Sequence, residues 1–243
     1  MKLNKFTACA SLLLLFSFSC GEQPKDTKPA KTIAAEVQDS IPVDETTKSL
    51  VEEEIEEEEP FVLTEENAID FFFDYQKGLK ENKVKLTTSF GSFTIQLYDN
   101  VPYHKANFIY LTRMGYFDNT MFHRVVKDFI IQGGNADNKE TSIKRRTIGR
   151  YLLPPDTRKG YKHHRGTISM PSSEMDNPHM LASPYEFFIV VTKPGSYHLD
   201  GNYTPFGKVI EGMDVVDEIN QQPVDEGDWP SRNILILKAE VIP

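Results

Sequence analysis

The 243-residue chain is long enough for one domain with a sizeable core and some additions to it. Its net charge of −9 sits in residues 22–60, where 13 Asp and Glu meet 4 Lys; with Lys2 and Lys5 set aside, residues 61–243 hold a net of −2. A nearly neutral folded part has no electrostatic grip on nucleic acid, which excludes that class of partner.

In chain order, Lys2 and Lys5 followed by the apolar run Phe6 to Phe18 have the form of an export signal, too short to span a bilayer core of ~30 Å. Ser17-Phe18-Ser19-Cys20-Gly21 then places small residues around a cysteine. This resembles a bacterial lipobox, with Ser17 where a leucine is usual, and implies a signal peptide over 1–19 and acylation of Cys20. Ordinary cleavage after Ser19 is the alternative. Cys9 falls in the removed segment, so Cys20 is left without a disulfide partner, which favours lipidation. Residues 20–60 are acidic and poor in large apolar side chains, and end in Glu52 to Glu59 before Pro60. Such a segment cannot offset its chain entropy and is expected to be a disordered linker stretched by like charge.

Residues 61–82 form an expected helical extension. Thr64 can cap it, and Ala68, Ile69, Phe72, Phe73 and Leu79 make its apolar face. Val84–Thr88 and Phe93–Tyr98 read as strands around a short turn. A helix capped by Asn100 begins near Val101-Pro102, with Phe108, Leu111 and Met114 inward and Gly115 at its end. Phe117 to Gly134 then alternates apolar and polar residues and ends in a double glycine, with one guanidinium, Arg124, among Phe122, Phe129 and Ile130. Two readings stand for Arg124. It is a strand arginine paired with a carboxylate, for which Glu186 is the candidate, or a cation at the lip of an apolar pocket. Residues 136–165 are polar and basic and read as a long surface excursion; His163-His164 within it are adjacent, so on an extended chain they diverge and make a poor metal pair. Met213, Val216 and Ile219 outline another helix, and Ile234 to Leu237 a last strand buried on both faces.

Phe122-His123-Arg124-Val125-Val126, then Phe129, then Gln132-Gly133-Gly134, resembles the signature of the cyclophilin family of peptidyl-prolyl cis/trans isomerases. The likeness continues in order through Gly166–Met170, Glu186–Val190, Leu199-Asp200-Gly201 and Phe206–Val209, and spans roughly 83–242. It implies a mainly β domain over 83–243: a closed eight-stranded antiparallel barrel capped by two helices. It also implies an enzyme that accelerates X–Pro isomerisation with no cofactor and no metal. Arg124 and Gln132 take the catalytic positions, with Arg124 stabilising the twisted amide. Phe129, Ile130, Phe188 and Leu199 take the proline cup. Tyr203 stands where many members have a histidine, His198 where cyclosporin-sensitive members have tryptophan, and Glu186 where glutamine is common. Pro171-Ser172 also departs from the pattern. A chaperone-like binding module with little catalysis is the alternative, and the altered 171–186 region is what favours it. The expected partners are Pro-containing unfolded or exported polypeptides, met by a monomer lipid-anchored in the bacterial cell envelope, with the periplasmic side of the outer membrane as the favoured location.

Overall fold

The computed structural model describes residues 61–172 and 177–243. The expected signal over 1–19, Cys20 and the linker over 20–60 lie outside the described residues.

Eight strands close into a barrel: β1 (Lys83–Thr88), β2 (Gly91–Leu97), β3 (Thr120–Val126), β4 (Ile130–Asn135), β5 (Thr167–Ser169), β6 (Phe187–Val190), β7 (Pro205–Glu211) and β8 (Ile234–Ile242). The order around the barrel is β1-β2-β7-β5-β6-β4-β3-β8, every pairing is antiparallel, and β8 returns to β1. Closure leaves no open sheet edge, and the inward-facing residues of the strands fill the interior. Val84 and Leu86, Phe187 and Ile189, and Ile234 and Ile236 are all buried in one core. The last strand also alternates, contrary to the reading of a run buried on both faces: Leu237 is 45% exposed. In a barrel only one face of a strand can point inward, so a continuous apolar run is split between interior and exterior.

Helix α1 (Ala68–Tyr75) and helix α2 (Pro102–Arg113) pack on each other, and α2 lies against β7 and β8. Thr64 holds a turn rather than the first helical residue. Its hydroxyl accepts from Glu66 N–H at 3.3 Å, and α1 starts at Ala68 with Asn67 as N-cap. The apolar face is rotated from the expected one. Phe73 is half exposed, while Phe71 and Tyr75 join Phe72 around the Tyr110 ring at centroid distances of 5.1, 5.5 and 5.9 Å. Burying a ring such as Phe72 contributes about 1.5–3 kcal/mol, so the extension is a bound part of the domain. On α2 the N-cap is Val101, with Pro102 at the first turn; Asn100 instead accepts a hydrogen bond from Tyr161 at 2.6 Å. Phe108 and Leu111 are buried as expected, and Met114 is 49% exposed.

The excursion over 136–165 is not all loop, because it holds helix α3 (Lys139–Ile148). Asn138 caps it by accepting from Thr141 N–H at 2.7 Å, Glu140 lies in the first turn, Arg145 and Arg146 in the last, and Gly149 follows. Those are helix start and stop signals. They come without an apolar stripe, since Ile143 is 45% exposed and only Thr141 and Ile148 are buried. The remaining helix, α4 (Met213–Asn220), packs on β2, β3 and β4 through Val216 and Ile219.

Candidate active site

The strand register assembles the site. Arg124 on β3 is paired with Gln132 on β4, and Gln132 with Phe188 on β6. Directly paired residues share a face of a sheet, so these three form one row across three strands. It is the outer face of the barrel wall. Phe187 and Ile189 join the interior core, whereas Phe188, Val190 and Ile130 form a separate buried cluster. Val126, Phe129, Leu199 and Tyr203 pack against that cluster, half-buried. The four residues expected to form a cup are therefore together, and Tyr203 meets Phe188 edge-on at 5.5 Å. His198, on the 3-10 turn Tyr197–Leu199, stacks on the Phe129 ring at 5.5 Å, at the rim.

Arg124 is aimed by a bulge. The register of β3 against β4 shifts between Phe122 and Arg124, and bulges re-aim the side chains beside them. Val125 N–H donates to Asp228 O at 2.8 Å, which docks the 225–229 loop on this bulge. Asp228, in a left-handed conformation at φ 62°, then brings its carboxylate to 3.1 Å from Arg124 Nη2. The expected Arg124–Glu186 pair is not formed; Asp228 is the partner, and 42% of the Arg124 side chain remains exposed. The sequence carries no mark of this pairing, because a 104-residue separation is brought together only by the barrel.

Glu186 serves a different group. Its Oε2 accepts from Gln132 Nε2 at 2.9 Å and lies 3.4 Å from His123 Nε2; its Oε1 lies 3.6 Å from Arg145 Nη2 on α3. Burial raises the Glu186 carboxyl, but His123, the Gln132 amide and Arg145 together outweigh it and hold the group below its ordinary value. Gln132 thus bonds to Glu186 rather than to Arg124. His123 stood in the motif without an assigned role, and Arg145 in the segment read as loop.

Behind the cup lies another set that spacing does not show. His163 Nδ1 is 2.8 Å from Asp200 Oδ1, and His163 Nε2 is 2.9 Å from the Ser169 hydroxyl. Asp200 Oδ1 also accepts the His163 backbone N–H at 2.9 Å. The order Ser–His–Asp is that of a hydrolytic relay, but Ser169 and His163 are wholly buried, so no substrate reaches the hydroxyl. Desolvation lowers the His163 pKa, with Asp200 opposing it in part, so the ring is neutral, donating to Asp200 and accepting from Ser169. The ring stacks under Phe188 at 6.1 Å, and Asp200 follows Leu199, so the set supports the floor of the cup. His164 turns elsewhere and meets the Tyr197 hydroxyl at 2.9 Å.

A half-exposed cation, an oriented amide and an apolar cup can bind a ring next to a polar backbone group; they offer no nucleophile. Comparison with known proteins agrees with that chemistry. Residues 83–241 match the family described as cyclophilin type peptidyl-prolyl cis-trans isomerase/CLD. The peptidyl-prolyl cis-trans isomerase CYP18-2 of Arabidopsis thaliana is 37% identical over 66% of this chain and 93% of its own length. The peptidyl-prolyl cis-trans isomerase-like 2 of Rhizopus delemar is 35% identical over 70% of this chain, a match that spans 30% of that longer protein. The crystal structure of a Cryptosporidium parvum cyclophilin type isomerase superposes with a TM-score of 0.56 at 27% identity, covering 67% of this chain and 98% of that one. A second structure of the same parasite protein, in the presence of the dipeptide Ala-Pro, gives a TM-score of 0.55 at 28% identity, covering 66% and 99%.

Proposed function

This chain belongs to the cyclophilin-type peptidyl-prolyl cis-trans isomerases, and from that premise we propose that it seats a substrate proline in the cup of Phe129, Ile130, Phe188 and Leu199 and turns the prolyl amide against Arg124. Rotation about an amide costs about 18–20 kcal/mol because resonance stiffens the C–N bond. A catalyst of this step must hold the twisted amide better than either planar form. In the twisted amide the nitrogen regains its lone pair, and a fixed donor beside it lowers the barrier. Arg124 carries a permanent charge on a planar fork, which keeps its orientation better than a lysine would. Gln132, its neighbour in the row, orients the substrate backbone.

The observation that carries this reading is the row Arg124–Gln132–Phe188, which sets cation, amide and cup on one outer face. One preorganised donor is worth about 3–4 kcal/mol. Arg124→Ala should therefore lower kcat/KM for a proline peptide by about 10²–10³. Its melting point should hardly move, because exposed substitutions usually stay within ~0.5 kcal/mol. Wild-type kcat/KM in Arg124→Ala would remove the arginine from the mechanism.

The substrates of this reading are exported proteins, met by a domain tethered through acylated Cys20 to the cell envelope. What supports it is the cationic start, the apolar run and a cysteine that has no disulfide partner once Cys9 is removed. Cys20→Ala should move the protein from the membrane to the soluble fraction; unchanged fractionation would leave the anchor without support.

A further inference from the structure

The end of β4 has a polar assembly behind the Arg124 row. Gly134, at φ 97°, lets the chain at 185–186 lie directly on β4; a Cβ there would collide with the Tyr185 carbonyl oxygen. Tyr116 donates its hydroxyl to Gly134 O at 2.8 Å and accepts from Arg145 Nε at 2.9 Å. The Arg145 guanidinium also lies 5.2 Å from the centre of the Tyr185 ring. Held in this way, Arg145 presents Nη2 at 3.6 Å from Glu186 Oε1, and that nitrogen is buried and makes no hydrogen bond. What it supplies to Glu186 is therefore charge. The other oxygen of the same carboxylate receives the Gln132 amide.

A carboxylate with 19% of its side chain exposed is held in one orientation best by a fixed cation. His123 is one only when protonated, whereas an arginine is one at every working pH. Without Arg145 the carboxylate loses the cation that faces its Oε1 and is free to turn to water, which releases Gln132. We propose that Arg145 is a positioning residue for the isomerisation, holding the Gln132 amide in the row with Arg124 by fixing the Glu186 carboxylate. This rests on the reading of Gln132 as the group that orients the substrate.

The test compares kcat/KM for a proline peptide in the full chain and in Arg145→Met, Glu186→Gln, the double variant and Gln132→Ala. Arg145→Met should lose about tenfold while Glu186 is present. It should lose less than about twofold in Glu186→Gln, because a neutral side chain there needs no cation. Should Arg145→Met not fold, Arg145→Gln, which keeps a donor for Tyr116, carries the same comparison. An equal loss in both backgrounds would make Arg145 a mere prop of α3 and overturn the inference. Gln132→Ala at wild-type kcat/KM would overturn the reading of Gln132 and the inference with it. A crippled Gln132→Ala beside an unimpaired Arg145→Met would overturn the inference alone.

Discussion

The barrel interior and the cup on its wall are built from the same strands with the same kinds of side chain. On β6, Phe187 and Ile189 enter the core while Phe188 and Val190 enter the cup; on β4, Ile131 goes in and Ile130 goes out. Hydrophobicity does not distinguish the two sets. Strand parity does: on β4 and β6 it separates the face that holds the domain together from the outer face that carries the cup.

The largest test of this division is a pair of adjacent truncations. Phe187→Ala, in the close-packed interior, should cost ~3–5 kcal/mol in a urea melt. Phe188→Ala, in a small cluster with half-exposed neighbours, should cost about 3 kcal/mol or less. Its main effect should be a rise of about tenfold or more in KM for a proline peptide. Equal stability losses with unaltered KM would abolish the distinction.

Titration separates the two regions next. In the interior, burial pushes His104 on α2 down to about 3, with both ring nitrogens unpartnered. The unfolded chain binds that proton from pH ~6.5 downward. Stability should thus fall as pH drops below ~6.5, by ~3 kcal/mol at pH 4 from this group alone. His163, also lowered, acts in the same direction. Glu186 by the cup is depressed, so its contribution is complete above pH ~4.5 and lost only as pH falls through its lower folded value. Melts from pH 7 to pH 5 should therefore flatten in His104→Leu and remain steep in Glu186→Gln.

The smallest effect concerns the partner of Arg124. Both side chains of the Arg124–Asp228 pair are more than a third exposed, so Asp228→Asn should change stability by no more than ~1 kcal/mol and less in high salt. A loss of several kcal/mol would show the pair to belong to the core rather than to the site.

Part of this was legible from residues alone. The strands over 83–98 fell where period-two alternation put them and the helix after Pro102 where its start and stop residues put it; the residues that the family resemblance assigns to a cup lie together. Helix α3 escaped because it buries almost nothing: its caps are written in the sequence but no stripe accompanies them. The same holds for the rotated face of α1, where Phe71, Phe72 and Phe73 are equivalent in composition and only the position of Tyr110 selects among them.

Local pattern by itself determined the strands over 84–98, the alternating stretch over 117–134 and where helices α2 and α4 run, since alternation, caps and turn residues act over a few positions; β5 to β7 and the membership of the cup were expected only from the family resemblance. Only the closed barrel decided that Arg124 meets Asp228, that Glu186 holds Gln132 with Arg145 behind it, and that His163 lies sealed between Ser169 and Asp200. Each of those contacts except the one between His163 and Ser169 joins residues more than thirty positions apart. Charge and hydrogen bonding between such groups depend on distances of a few ångströms, which strand register and loop docking set and composition does not.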